Sequence, residues 1–426
     1  MKKIFFVVLT LLCWLALITP SFATSTQVDA LIEKLVQKGI LTKTEAIELK
    51  GEIAADEKLM REEGLKQTLP EWVQRLKLKG DLRVRYQWEQ KQHAAEERMR
   101  GRIRYRLGLE TQVNDTTKVA AGLASGAEDP RSTNQTFENS FQHPDIRLDY
   151  AFIEYEPIKG KKLAAGKFLF KDYLWTPTDM LWDTDINPEG GAVHLEHGLV
   201  KDVTGYVNVG SLVIDENGAT DRSDPFLIYN QGGLKWKDEN AGLSANAAGV
   251  YYAFNGTKGA DLDSERNTNT QTGGGADSTL RYDYDSVGGS AEFGIERPFG
   301  LEKVEELGFF GDYIYNLDSG DDDTKNEVDD GWGWSAGIRF GNKKVVNAKQ
   351  WQLKYLFTML QKDAFPDTFP DSDRHGGDTD IKAHEAIFEY GFNKNVSLAL
   401  DYYQVRRLRA AEATEHLVQS DVNFKF

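Results

Sequence analysis

The chain has 426 residues, of which 40% are hydrophobic and 28% charged, and its 51 basic and 67 acidic side chains give a formal net charge of −16. A mean hydropathy of −0.51 excludes a protein with many membrane-crossing helices, because each such helix needs about 20 mostly apolar residues. The acidity argues against a nucleic-acid partner, which favours a basic surface. A transmembrane β-barrel is not excluded.

Residues 1–23 have the layout of a secretory signal peptide. An apolar run, Ile4–Ile18, follows two lysines and precedes Pro20–Ala23, so we predict cleavage after Ala23. A membrane anchor is the alternative, and the shortness of the run argues against it. The one cysteine, Cys13, lies within the run. The exported chain is therefore predicted to lack cysteine, which suits an oxidising compartment.

Residues 24–70 show a helical pattern and are predicted to form a periplasmic leader. Apolar residues recur every three or four positions in Val28–Val36, Gly39 offers a stop, and Thr42 with Glu45 has the form of a capping box that opens a second helix. Such a short amphipathic pair buries little apolar surface alone. We expect it to self-associate or to dock elsewhere, for instance on peptidoglycan; a mobile charged arm is the alternative.

From Arg75 the hydrophobic period changes to two. Apolar residues take the even positions in Leu76–Trp88 and mainly charged or polar residues the odd ones, so one strand face is apolar and the other charged. The pattern continues in residues 102–110 and recurs to the last residue. Later runs begin near Lys118, Asp145, Lys161, Gly191, Val203, Pro225, Ala241, Leu280, Glu306, Gly331, Lys349, Ile381, Val396 and Thr414.

These runs make 16 candidate strands, with about 22 residues for each strand and its connection, as tilted membrane-crossing strands require. Short connections alternate with long, polar and often acidic ones, such as Lys171–Glu189 and Asp363–Asp380. Membrane barrels have this asymmetry, whereas a soluble sandwich, the alternative, need not. We predict an all-β fold for residues 71–426, a 16-stranded antiparallel transmembrane β-barrel, preceded by a short α-helical segment.

The last strand carries the most specific local signal. His416, Val418, Ser420, Val422, Phe424 and Phe426 share its apolar face, and the sequence ends on Phe426. In this feature the chain resembles Gram-negative outer-membrane proteins, whose closing strand ends in a Phe that assembly machinery reads. The whole chain resembles the outer-membrane putative porin family, a general-porin-like barrel with a short helical leader. The resemblance implies contacts with outer-membrane lipid, lipopolysaccharide and the barrel assembly machinery, and a homotrimer.

The resemblance also implies a constriction, because in general porins the third long loop folds into the lumen and its acids face arginines of the wall. The corresponding stretch here contains the candidate constriction-loop residues Asp172, Trp175, Asp179, Trp182, Asp183 and Asp185.

The opposing wall follows from the residues themselves. Six basic residues lie on the polar strand faces, where they avoid the cost of about 2–4 kcal/mol for Arg or Lys at mid-bilayer on the lipid side. They are Arg83, Arg85, Arg102, Arg104, Arg106 and Lys118. In a barrel they line the lumen; the alternative role is structural pairing with acids such as Asp81, Glu110 and Asp149.

An acidic loop opposite a basic wall predicts a channel for passive diffusion of small hydrophilic solutes and ions. Acidic outer loops, residues 321–323 among them, favour cations. The alternatives are a selective channel for oligosaccharide or a small anion such as phosphate, using Trp175 and Trp182, and a structural envelope-anchoring barrel. No enzyme motif, cofactor or metal site is predicted; Asp183 and Asp185 open a calcium-like pattern that Pro188 interrupts.

Overall fold

The computed structural model describes residues 26–53, 70–91, 96–217, 224–273, 278–319, 330–409 and 414–426. The chain divides into two units, residues 1–74 and residues 75–426. The predicted signal peptide, residues 1–23, lies outside the described residues.

The first unit is helical. Helix α1 covers Thr26–Gln37, Gly39 follows with a φ of 71°, residues 43–53 are helical, and one further turn covers Glu71–Gln74. The second helix opens with a reciprocal capping box, in which the Thr42 N–H donates to Glu45 Oε2 at 2.7 Å and the Glu45 N–H donates to Thr42 Oγ1 at 3.3 Å. Within the described part of the chain, no helix has the length and apolarity to cross a membrane.

The second unit is a closed antiparallel barrel. The described residues contain sixteen barrel strands: β1 (Lys77–Lys91), β2 (Arg98–Asn114), β3 (Thr117–Ser125), β4 (Ile146–Ile158), β5 (Lys161–Lys167), β6 (Glu189–Val200), β7 (Val203–Val213), β8 (Phe226–Asp238), β9 (Leu243–Asn255), β10 (Ser286–Glu296), β11 (Glu306–Asn316), β12 (Trp332–Gly341), β13 (Trp351–Leu360), β14 (Ile381–Gly391), β15 (Val396–Arg407) and β16 (Glu415–Lys425).

Each strand pairs with its neighbours in sequence, and β1 closes the barrel by pairing with both β2 and β16. The predicted 16-stranded barrel is thus confirmed. Alternation along β1 places Val84 and Tyr86 outward, 42% and 44% exposed, while Arg85 between them is buried. The apolar face therefore points out of the barrel and the charged face points in, as lipid on one side and water on the other require.

Successive connections lie at alternate ends of the barrel, because the strands alternate in direction, and the six longest connections all lie at one end, the long end. We number the connections at the long end in chain order: L1 (92–97), L2 (126–145), L3 (168–188), L4 (214–225), L5 (256–285), L6 (317–331), L7 (361–380) and L8 (408–414). The turns at the other end are as short as residues 115–116 and 159–160.

One predicted strand start differs from the structure. The run expected near Leu280 becomes barrel strand only at Ser286, and residues 279–280 pair instead with residues 271–272 inside L5. Leu280 and Tyr284 are almost fully buried, at 1% and 0% exposure, within the apolar cluster formed by the loops. Apolar residues that are buried between loops can follow the same alternating pattern as a strand. The sequence pattern alone therefore placed the start of this strand too early.

The last residue completes the seam between the first and last strands. The Gly80 N–H donates to the Phe426 carbonyl at 2.8 Å, and the Phe426 N–H donates to the Gly80 carbonyl at 3.0 Å. The Phe426 ring stacks against Tyr105 with centroids 6.4 Å apart, and Phe424 pairs with Leu82 two pairs further along the seam. A Cβ at position 80 would lie 2.7 Å from the Phe426 ring and 2.5 Å from the Arg106 carbonyl oxygen.

We expect Gly80→Ala to weaken this seam, because the methyl group meets backbone and ring at distances that force one of them to move. Overpacking of this kind costs about 1–3 kcal/mol. The variant should lose its folded, fast-migrating gel band at a lower temperature than the unchanged protein. Gly232→Ala in β8 is the matched control, since its Cβ would have no atom within 4 Å; equal melting of the two variants would contradict the packing argument.

Candidate pore constriction

L3 is attached to the inner face of the barrel wall. Gln231 of β8, which is 1% exposed, accepts the Trp175 N–H at 2.9 Å and donates to the Trp175 carbonyl at 2.7 Å. Asp312 of β11 accepts the Thr178 N–H at 2.9 Å. Both wall residues point inward, so L3 runs across the interior of the barrel rather than above its rim.

An aromatic cluster anchors the middle of L3. The Trp182 ring lies 4.7 Å from Phe170, 5.4 Å from Phe365 and 4.7 Å from Phe369, measured between centroids. Its indole N–H donates to the Tyr252 hydroxyl at 3.2 Å. Such ring pairs are stabilising beyond the apolar area they bury. Trp182 is only 6% exposed, so its faces are covered by protein.

L7 also enters the barrel, which the sequence analysis did not predict. Its backbone bonds directly to L3: the Asp183 N–H donates to the Phe369 carbonyl at 2.8 Å, and the Ser372 N–H donates to Asp183 Oδ2 at 2.9 Å. Arg374 of L7 forms ion pairs with Asp179 of L3 and, at 2.6 Å, with Glu385 of β14. L3 and L7 therefore form one unit within the lumen.

L5 holds L7 in this position. The Asp367 carboxylate, 1% exposed, accepts hydrogen bonds from the Thr268 N–H at 2.6 Å, the Thr268 hydroxyl at 2.8 Å and the Arg266 N–H at 3.1 Å. The signal that could have revealed the inward course of L7 is the pair Phe365 and Phe369, because apolar rings in an otherwise acidic loop need burial.

The basic residues of β1 face the acidic residues of β16. Arg85 binds Asp421 through Nε at 2.7 Å and Nη2 at 2.8 Å, and its Nη1 lies 3.4 Å from Asp373 of L7. Arg83 donates to Asn134 of L2 at 2.6 Å and lies 3.5 Å from Asp421. Both guanidinium groups thus point into the barrel and are held by wall and loop together.

The arginines of β2 continue this row. Arg104 and Arg106 share the carboxylate of Asp81, at 2.8 Å and 2.9 Å, and Arg106 also reaches Asp185 of L3 at 3.3 Å. Arg102 donates to Gln87 at 3.2 Å. The Arg106–Asp185 contact is a direct ion pair between the predicted basic wall and the predicted acidic loop.

Lys118 and Asp172 lie apart from this group. Lys118 pairs with Glu154 at 2.8 Å, and the cavity it lines is formed by the turns at the opposite end of the barrel. Asp172 is exposed at the start of L3. The acids predicted as structural partners do form such contacts. Asp81 forms ion pairs with two arginines, Glu110 forms an ion pair with Lys79 at 2.9 Å, and Asp149 accepts a hydrogen bond from the Asn187 amide at 2.8 Å. The arginines therefore point into the barrel and are also paired with acids of the wall.

Two cavities that both have charged residues in their lining adjoin at this group. The smaller, about 160 Å³, is enclosed by β1, β2, β13–β15 and loops L2, L3 and L7; we call it the upper cavity. The larger, about 450 Å³, lies against L3 and the ends of β1, β2 and β16; we call it the lower chamber. Arg104, Thr184 and Asp185 line both, so the two spaces adjoin where the loop approaches the wall.

The L3 carboxylates differ in protonation. Burial, together with the neighbouring Asp185 carboxylate, raises the pKa of Asp183 to about 8. Burial acts in the same direction on Asp185, but Arg104 and Arg106 outweigh it and lower the pKa of Asp185. Asp179 behaves likewise, because Arg374 overcomes burial and lowers its pKa. Asp183 is thus the L3 acid whose charge changes near neutral pH.

Comparison with known proteins agrees with this architecture. The family model described as "Putative porin" matches residues 88–290 and 280–426. Pseudomonas putida OprB at high pH is similar in structure, with 11% identity, a TM-score of 0.54, and coverage of 84% of this chain and 96% of that chain. A loop L8 deletion mutant of Vibrio cholerae OmpT follows at 10% identity, TM-score 0.47, covering 82% and 99%.

Salmonella typhi OmpF in complex with daunomycin matches at 12% identity and a TM-score of 0.46, covering 82% of this chain and 97% of that chain. No curated protein matches the chain. The family match spans most of the sequence and nearly the whole barrel. The chain belongs to the putative porin family, whose members are β-barrel channels of the outer membrane.

Proposed function

We propose that this barrel is a water-filled channel for passive diffusion of small hydrophilic solutes and ions, narrowed where the acids of L3 face the arginines of β1 and β2. The observation that carries the proposal is that two cavities with charged residues in their lining adjoin at Arg104 and Asp185. Above and below this point, the lining is rich in charged groups that hold water.

The opposed charges would create a field across the passage. Arginines 83, 85 and 104 lie on one wall of the upper cavity, and carboxylates of L3 and L7 lie opposite. A polar solute can align its dipole in such a field, whereas an apolar solute has to displace ordered water without replacing its hydrogen bonds. Selection by size, charge and polarity follows without a dedicated binding site.

Cations are expected to be favoured weakly. The upper cavity is lined by seven acidic and five basic residues: Asp179, Asp183, Asp185, Asp371, Asp373, Glu385, Asp401, Arg83, Arg85, Arg104, Arg131 and Lys354. Burial raises the pKa of Asp183 to about 8 and also raises the pKa of Asp371, so the acidic excess in charge is small below pH 8. The lower chamber is lined by more basic than acidic residues, which limits the preference for cations. Of the outer-loop acids that favoured cations in the sequence, residues 321–323 lie outside the described residues.

The selective-channel alternatives gain little support. Trp182 is covered by aromatic neighbours, so it offers no free ring face for stacking on a sugar. Arg85 and Arg104 are already paired with Asp421 and Asp81, which weakens their attraction for a phosphate. We further propose a homotrimer embedded in lipid and lipopolysaccharide; a peptidoglycan contact of the leader and a plugged, structural barrel are the remaining alternatives.

In planar bilayers, the folded protein should produce stepwise, ohmic conductance. Small neutral solutes should enter proteoliposomes at rates that fall steeply with solute size, because the upper cavity is only about 160 Å³. Heat-dependent gel migration provides the control for folding. Absence of conductance from folded barrels would sink the diffusion proposal and favour the plugged barrel, and current block that saturates with one solute would favour the selective channel.

Cation preference should increase as pH rises through about 8, since Asp183, whose pKa is raised to about 8, then loses its proton and adds a negative charge to the lining. Reversal potentials in a salt gradient between pH 6 and 9 measure this. Asp183→Asn should reduce the rise, while Asp115→Asn, which changes an exposed carboxyl group in a turn, should retain it in full. A rise of the same size in Asp183→Asn would assign the titration to another group.

A further inference from the structure

Charged side chains of both signs line the upper cavity, and they come in part from different strands. Lys354 lies beside Glu385, and Asp373 lies beside Arg85. Carboxylates of Asp371, Glu385 and Asp401 lie on the side formed by L7, β14 and β15, and we call them the acidic pole. Guanidinium groups of Arg83, Arg85 and Arg104 lie on the side formed by β1 and β2, and we call them the basic pole. Strand β16 separates β15 from β1 in the wall.

The acidic pole contains buried acceptors that the described residues do not satisfy. Glu385 is 2% exposed; its Oε2 accepts from Arg374 at 2.6 Å, but its Oε1 accepts no hydrogen bond, and Lys354 Nζ lies 4.0 Å away. Asp371 Oδ2 and Asp401 Oδ1 also accept none, although Arg374 Nη1 lies 3.4 Å from Asp371 Oδ2. Buried polar atoms are nearly always hydrogen-bonded. Of these three oxygens, Glu385 Oε1 and Asp371 Oδ2 have a cation within 4.0 Å, and only Asp401 Oδ1 has neither a hydrogen bond nor an ion pair among the described residues.

The basic pole contains a corresponding donor. Arg83 donates to Asn134 at 2.6 Å through Nη2, and its Nη1 lies 3.5 Å from Asp421. Its Nε–H is buried and has no acceptor among the described residues. Arg104 uses Nε and Nη2 for Asp81. The basic pole thus retains donor capacity beyond its pairs with the wall.

The spacing and size of the cavity limit what can engage both poles. Adjacent strands lie about 4.8 Å apart, so wall positions on β15 and β1, two strands apart, are separated by about 10 Å, and long side chains reduce the gap. A cavity of about 160 Å³ holds on the order of five water molecules at about 30 Å³ each. The occupant that fits is a small organic molecule.

We infer that the upper cavity favours small zwitterionic solutes, of which free α-amino acids are the simplest class, over neutral solutes of the same size. The ammonium group would face Glu385 and Asp401, and the carboxylate would face Arg83. An ion of one sign is attracted to one pole and repelled by the other, whereas a zwitterion has a charged group that is attracted to each pole. This inference rests on the proposed diffusion channel and adds the solute class to it.

The test compares alanine with lactamide, a neutral molecule of nearly the same size and shape, in proteoliposome swelling at pH 8. Alanine should enter faster than lactamide by about two- to fivefold, the ratio expected from one or two partly hydrated ion pairs. Asp401→Asn and Arg83→Gln should each bring the ratio of alanine entry to lactamide entry close to one, whatever their effect on lactamide entry itself. Lys235→Gln is the matched control, because Lys235 lines neither cavity.

The two rates separate the two proposals. Failure of lactamide to enter through folded protein would overturn the diffusion channel itself. Lactamide entry with alanine equal or slower would leave the channel standing and overturn the zwitterion preference, as would an alanine excess that survives both substitutions. Glu385→Gln replaces Asp401→Asn as the acidic-pole variant if the latter lacks the heat-sensitive folded band, and it should give the same loss of the ratio.

Discussion

The structure depends on one requirement of the lipid environment: every backbone N–H and C=O within the bilayer has to be bonded inside the protein. A sheet meets it only by closing, and here β1 pairs with β2 on one side and with β16 on the other. Closure gives every strand one face towards lipid and one towards the interior. A chain with 28% charged residues can therefore span a membrane, because its charges lie inside the barrel and in the loops.

Charges gathered inside a barrel have to be compensated. Pairing in the wall does part of this, with Asp81 between Arg104 and Arg106 and with Asp421 against Arg85. The loops do the rest, through Asp185 and Asp373. Because removing one partner of a buried pair leaves a costly charge behind, the same contacts that shape the lining also hold L3 and L7 against the wall.

The interior of the barrel is filled unevenly. Aromatic side chains of L3 and L7 pack against Tyr229 of β8 and Tyr252 of β9, and Ile314 of β11 is buried in the same cluster. These side chains form an apolar core inside the barrel. The two cavities that adjoin L3 lie beside it, and β1 and β2 contribute charged side chains to both.

The sequence by itself determined the barrel. Strand alternation is a local property with a period of two, so the strand number, the outward face and the inward direction of Arg83 through Arg106 could all be predicted from neighbouring residues. The start of β10 was misplaced because Leu280 and Tyr284 alternate like a strand but are buried within L5.

Only the tertiary structure decided how the loops fill the lumen. L7 enters the lumen, where it bonds to Asp183 of L3 and to Thr268 of L5. These contacts join residues about a hundred or more positions apart in the sequence, so no local pattern predicts them. The same holds for the two poles of the upper cavity, where β14, β15, β1 and L7 meet only after the barrel has closed. Local periodicity specifies which face a side chain takes, whereas closure specifies which side chains share a space.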